Sequence, residues 1–315
     1  MRDLRIVFMG TPEFAVNSLK KIIEAGYNVV GVITAPDRPA GRGRKLQQSD
    51  VKKYALEQNL KVLQPTNLKS EDFQQELEEL QPNVQVVVAF RMLPKSVWAL
   101  PEYGTFNLHA SLLPQYRGAA PINWSIINGD RTSGVSTFFI DEKIDTGAMI
   151  LQRELTVGEN ENVGELHDRL MESGAKLILE TLELIKLNKV KTRLQEESDI
   201  LKPAPKLTKE NTRINWEKPV GEIYNLIRGL NPYPAAWAIL RNASEELKVK
   251  IYDAEKVLEA HQFPTGTIKV NGKQFYVAGQ DGFIEIKEMQ LPGKRKMSIK
   301  DLLNGFSFDS EAKML

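Results

Sequence analysis

The sequence predicts an α/β protein in two parts, a mostly parallel sheet with helices on both faces followed by a small C-terminal β-barrel. Three observations carry this expectation. Apolar strand-like runs alternate with helical periodicity through the first half of the chain, the pattern of a parallel sheet covered on both sides. The pattern dissolves around residues 188–208, where "KPAPKL" reads as a linker. Beyond it, short strand-like segments are separated by "NGK" and "QDG" turns.

Residues 4–9 form the first strand. After Gly10, Thr11 can cap a helix, Pro12 suits its first position and Glu13 its N-terminal dipole. That helix runs to about residue 25, and residues 28–34 make the second strand. The loop that follows, "TAPDRPAGRGRKLQQS", is long for a strand-to-helix link, where ~2–6 residues are usual. Residues 69–80 read as a helix, 84–90 as a continuous apolar strand and 105–109 as another. A helix begins near Pro121, and residues 134–140 and 148–154 are strands flanking the turn "DEKIDTG". Val163, Leu166, Leu170, Leu177 and Leu184 then recur at helical spacing. After the linker come a short amphipathic helix over 220–228 and the barrel strands. The expected division is a catalytic domain at 1–189, a linker at 190–208 and a barrel domain at 209–315.

Composition narrows the chemistry. The chain has 315 residues, 42% hydrophobic and 26% charged, ordinary for a soluble globular protein. No apolar run approaches the ~18 residues of a membrane span. The apolar stretch before Pro12 is too short for a signal-peptide core. With no cysteine there is no disulfide, no thiolate nucleophile and no Cys-ligated zinc. That usage fits a cytoplasmic protein. Only His109, His167 and His261 are present, so no His-rich metal centre is expected. Residues 201–315 carry 18 Lys and Arg against 14 Asp and Glu, a net of +4 within an overall +1. This asymmetry points to a polyanionic partner.

The candidate site lies in "TFNLHASLLPQYRGAAPINW", residues 105–124. Asn107 and His109 are two apart on a strand and share a face. In a parallel sheet, ligands collect beyond the carboxyl ends of the strands. Asp145, in "KIDTG", supplies a carboxylate on a nearby turn. An amide, an imidazole and a carboxylate can together stabilise an oxyanion and relay a proton. The long loop after the second strand carries Arg38, Arg42, Arg44 and Lys45 around two glycines, and could mould to a phosphate backbone. The N-terminal "MGTPEF" lacks the second and third glycines of a dinucleotide fingerprint, against a nicotinamide enzyme.

At "FNLHASLLPQYRGAAPINW" and "IDTGAMI", with "IVFMGTPEFAV", "APDRPAGRGRKL" and "APKLTKENTRINW", the sequence resembles the formyltetrahydrofolate-dependent formyltransferases over nearly its whole length. Within that family it is most similar to members acting on methionyl-tRNA. The resemblance implies a Rossmann-like catalytic domain and a C-terminal barrel like the oligonucleotide-binding (OB) folds. It implies formyl transfer from 10-formyltetrahydrofolate to the amine of methionyl initiator tRNA, a reaction that requires no metal. No coiled coil or large apolar patch in the sequence argues for assembly, so a monomer is expected.

On the same resemblance Asn107, His109 and Asp145 match the catalytic trio. Ser111, Leu112, Leu113 and Pro114 match the folate-binding turn. Arg42 matches a position used against the tRNA acceptor stem, and Arg38, Arg44, Lys45 and Lys206 are expected to join it in binding tRNA. One departure stands out. After "VVVAF" the family has a glycine before Leu-Pro; here Phe90 is followed by Arg91-Met92-Leu93-Pro94, on the wall of the pterin pocket. A small-molecule formyltransferase would share the trio but would not need the basic loop or a basic barrel.

Overall fold

The computed structural model describes residues 1–40, 45–196 and 200–315, with the side chains at 40 and 45 outside that description. The chain folds into two compact units: residues 1–118, 133–155 and 167–203 form one, and residues 119–132, 156–166 and 204–315 the other.

The first unit is built on a seven-stranded sheet. Its elements in chain order are β1 (Arg5–Gly10), α1 (Glu13–Glu24), β2 (Asn28–Ile33), the hairpin β3 (Arg38–Ala40) and β4 (Lys45–Gln47), α2 (Asp50–Glu57), β5 (Val62–Leu63), α3 (Glu71–Glu79), β6 (Val84–Val88), α4 (Lys95–Trp98) and β7 (Thr105–His109). After α5 (Pro121–Ile127) come β8 (Thr132–Phe139), β9 (Met149–Thr156) and α6 (Val163–Lys186). The strand order is β5-β2-β1-β6-β7-β8-β9. Pairing is parallel from β5 to β7, and β8 runs antiparallel to β7. Every residue of β6 is buried, as are all of β1 after Arg5. Helices cover both faces of such strands, so apolar runs replace alternation.

Helix α1 begins one residue later than the sequence suggests. Pro12 is its N-cap and makes no side-chain cap bond. The carbonyl of Thr11 instead accepts the Val51 N–H, tying this turn to α2. The stretch expected to be one long loop contains the β3–β4 hairpin and ends on the N-cap of α2, Ser49, which accepts from Lys52 N.

The second unit holds the barrel. Its strands are β10 (Ala236–Asn242), β11 (Glu245–Val257), β12 (Ile268–Asn271), β13 (Gln274–Ala278), β14 (Phe283–Gln290), β15 (Met297–Ser298) and β16 (Lys313–Met314), with helices α7 (Val220–Leu230) and α8 (Ile299–Leu303). The antiparallel order β12-β13-β14-β11-β10-β16 is brought round on itself by a bridge between Thr267 and Lys313. The "NGK" turn joins paired Asn271 and Gln274. Val249, Ile251, Phe275, Val277 and Ile284 fill the interior, and α7 closes one end with Ile223, Ile227 and Leu230.

Helix α5 and residues 156–166 pack in this second unit. Asn123 Nδ2 donates to the Gly229 carbonyl and Trp124 Nε1 to that of Pro205. The buried Arg228 donates Nη1 to the carbonyls of Gly158 and Glu161. A Cβ on Gly229 would come within 2.7 Å of Ile127 Cγ1, so only glycine allows α5 and α7 to approach this closely.

Candidate active site

Strand β7 delivers Asn107 and His109 to the carboxyl end of the sheet, on one face. His109 is 7% exposed. Its Nε2 lies 2.8 Å from the carbonyl oxygen of Tyr116. A carbonyl only accepts, so Nε2 carries a proton and Nδ1 is the nitrogen left for proton exchange. Nδ1 faces Asp145 Oδ2 at 3.8 Å. Asn107 contributes a different feature: its Oδ1 is buried with no hydrogen-bond partner among the described residues. Buried polar atoms are rarely left so, and this one fits a site completed by substrate. A half-turn of the amide presents Nδ2 in its place.

Asp145 is held from several sides. Its Oδ2 accepts the Gly118 N–H at 3.0 Å. Its backbone is left-handed, with φ of +55°, where Asn and Asp are tolerated better than most residues. Two residues on, a Cβ at Gly147 would fall 1.7 Å from the Phe139 carbonyl oxygen, so glycine is required for the turn to lie against β8. Gln195 Nε2 donates to the carbonyls of both Asp145 and Gly147 at 2.9 Å. Its Oε1 accepts Arg117 Nη2 at 2.8 Å and Nε at 3.1 Å.

The turn at 111–114 is fastened through its backbone. Ser136 Oγ donates to the Ser111 carbonyl at 2.6 Å and accepts from Leu113 N and Gln152 Nε2. Gln152 also donates to the Leu113 carbonyl, and Leu113–Pro114 is a cis peptide. Ser111 is fully buried, with its hydroxyl on the Gln115 carbonyl. Leu113 is buried, while Leu112 and Pro114 are half-buried.

Of the basic residues, Arg38 lies exposed on β3 and Lys206 is exposed in the second unit. Arg42 and Arg44 fall outside the described residues, and of Lys45 only the backbone, at the start of β4, is described. The base of the hairpin is well anchored. Thr34 Oγ1 and Ser49 Oγ are 2.7 Å apart. Asp37 meets Gln64 Nε2 at 2.8 Å and Lys52 Nζ at 2.6 Å. The Gln64 hydrogen bond, then that from Lys52, holds the Asp37 carboxyl below its usual range.

Sequence reasoning does not reach Gln195, Gln152, Ser136 or the Gly118 N–H. Only the "YRG" spacing after "LLPQ" hints at the last; the other three act across 16 to 78 residues. Among the described residues, no group of three or more His, Asp or Glu could hold a metal ion, and no helix is long and apolar enough to cross a membrane.

A Rossmann-like sheet with an amide, an imidazole and a carboxylate at its carboxyl end, in a chain that also carries a small barrel, offers groups suited to group transfer at a carbonyl carbon. The particular group follows from comparison with known families. Residues 4–182 match the family model described as formyl transferase, and residues 206–307 match that described as formyl transferase, C-terminal domain. The chain belongs to the formyl transferase family and is a formyltransferase.

It is 57% identical over 314 residues to a protein of Flavobacterium johnsoniae named methionyl-tRNA formyltransferase, covering 100% of both chains. A Bacteroides thetaiotaomicron protein of the same name is 53% identical over 317 residues, with 99% of this chain and 98% of that one covered. Among solved structures, the fold is shared with an N-formyltransferase of Helicobacter canadensis in complex with folinic acid and dTDP-3-aminofucose. That match has a TM-score of 0.67 and 23% identity, over 90% of this chain and 98% of that one.

Proposed function

We propose that the chain transfers a formyl group from 10-formyltetrahydrofolate to the α-amine of methionyl initiator tRNA, for translation initiation in the cytoplasm. The observation that carries this reading is full-length likeness, at more than half identity, to relatives named for that reaction. The site is consistent with it. Turned as above, the orphaned end of Asn107 becomes an Nδ2 donor suited to a carbonyl becoming an oxyanion, and His109 Nδ1 is free to exchange a proton beside Asp145. The donor, when bound at the turn of Ser111, Leu112, Leu113 and Pro114, supplies an activated formyl carbon.

Asn107 donates its amide hydrogens to the oxygen as the amine adds, a contact worth most once negative charge has formed. His109 takes the amine proton at Nδ1 and returns one to the departing nitrogen of the donor. Asp145, fixed by the Gly118 N–H, favours the imidazolium that forms when Nδ1 takes the proton, while the Tyr116 carbonyl on Nε2 orients the ring. Residues 1–189 contain all of these groups. Residues 209–315, with linker 190–208 and Lys206, supply a basic surface for tRNA alongside Arg38, Arg42, Arg44 and Lys45.

The test is a formyl-transfer assay offering charged initiator tRNA, charged elongator tRNA and an amino-sugar nucleotide in parallel. Selective turnover of the initiator species is expected. Turnover of the sugar nucleotide alone would replace this reading with a small-molecule one.

A further inference from the structure

Arg91, the residue at which the strand-to-"LP" segment departs from the family pattern, is oriented with care. Its Nη1 donates to the Thr66 carbonyl at 3.0 Å and its Nη2 to that of Pro65. Among the described residues no carboxylate pairs with it, and none pairs with Arg38. The segment 64–66 links the two arginines. Gln64, next to Pro65, is bonded to Asp37, next to Arg38. One short stretch therefore fixes Arg91 on one side and the base of the β3–β4 hairpin on the other.

Both arginines follow strands at their carboxyl ends, Arg38 after β2 and Arg91 after β6. In the parallel part of the sheet that is also the end at which β7 presents His109, because β6 and β7 pair in parallel with Val87 beside Asn107. Burial first, and then the charge of Arg38, lower the Arg91 guanidinium from its usual value. The neighbouring Asp37 carboxylate is already paired with Lys52, so the two guanidinium groups leave a field that an oxyanion relieves.

We propose that Arg38 and Arg91 form a paired-guanidinium subsite that binds a backbone phosphate of the RNA substrate. The ligand assignment rests on the tRNA reading above. An RNA whose aminoacyl end reaches Asn107 must run its phosphates past this end of the sheet, and two guanidinium groups match a phosphate's geometry better than lysines would.

The test is equilibrium binding of uncharged initiator tRNA, by fluorescence anisotropy over a range of salt concentrations, to wild type, Arg38→Gln, Arg91→Gln and the double variant. Each single change should raise Kd about threefold to fivefold and flatten the log–log salt slope by about 0.9. If the two residues share one phosphate, the double variant should be less impaired than the product of the singles. Unchanged Kd and slope in Arg91→Gln would overturn the subsite. So would unchanged tRNA affinity with weakened binding of folinic acid, titrated in parallel, which would assign Arg91 to the donor's carboxylates. Because the readout is binding rather than turnover, wild type that binds tRNA but fails to formylate it would sink the proposed reaction and leave the subsite standing.

Discussion

Gln195 and Asp145 are 50 positions apart, yet the Gln195 amide donates to the Asp145 carbonyl at 2.9 Å. With its other bonds, to Gly147 and Arg117, both of its amide hydrogens and its oxygen are in use. Gln195→Glu keeps the size and can still accept from Arg117, but it cannot donate to two carbonyls. We expect kcat to fall by roughly tenfold to a hundredfold, the usual penalty for a slightly misplaced group, with KM for the donor nearly unchanged. Steady-state kinetics on both substrates check this, and normal kcat would show that the Asp145 turn holds without the clamp.

Asn107→Ala removes the amide that awaits the oxyanion. The expected loss is ~10²–10³ in kcat, with donor affinity preserved, measured by turnover beside direct donor titration. Near-normal turnover would remove Asn107 from the chemistry.

Asp145→Asn retains a side chain that can accept the Gly118 N–H and tolerates the left-handed backbone. Its charge beside His109 Nδ1 is lost. The pH profile of kcat should therefore change more than Tm. A large fall in Tm with an unaltered profile in the remaining folded protein would make Asp145 structural.

Asp37→Asn tests the hairpin anchor. The folded-state carboxyl is held below its unfolded value, so its stabilising effect is present above about pH 4 and is lost as pH falls through the folded value. The Tm difference between wild type and Asp37→Asn should shrink on acidification below that range. At neutral pH the variant should show a raised KM for tRNA with little change in kcat. A Tm gap that persists in acid would mean the pair with Lys52 is not its source.

Features with a local signal are legible in the sequence. Continuous apolar runs mark β1 and β6, and period-two spacing puts Asn107 and His109 on one face. Helix α2 and the β3–β4 hairpin are not legible in this way. Glycines and Pro39 give that stretch a loop-like composition, and the pairing of Arg38 with Gln47 depends on anchors at Thr34, Asp37 and Gln64. Gln195 is hidden for a related reason. It stands in a segment without periodicity, and its partners at 117, 145 and 147 are distant in sequence. Composition allows Thr11 as a cap, whereas in the fold its carbonyl is committed to Val51.

The chain passes back and forth between its two units, leaving residues 119–132 and 156–166 in the unit that otherwise begins at 204. A protease nick placed between residues 203 and 204 should therefore release nothing. The first fragment would remain threaded into the second unit through α5 and the carbonyls that hold Arg228. The two pieces should co-elute from a sizing column in buffer and separate only in urea. Conversely, residues 204–315 made alone would lack two strips of their own interior, so grafting this region onto another enzyme calls for exchanging three stretches rather than one.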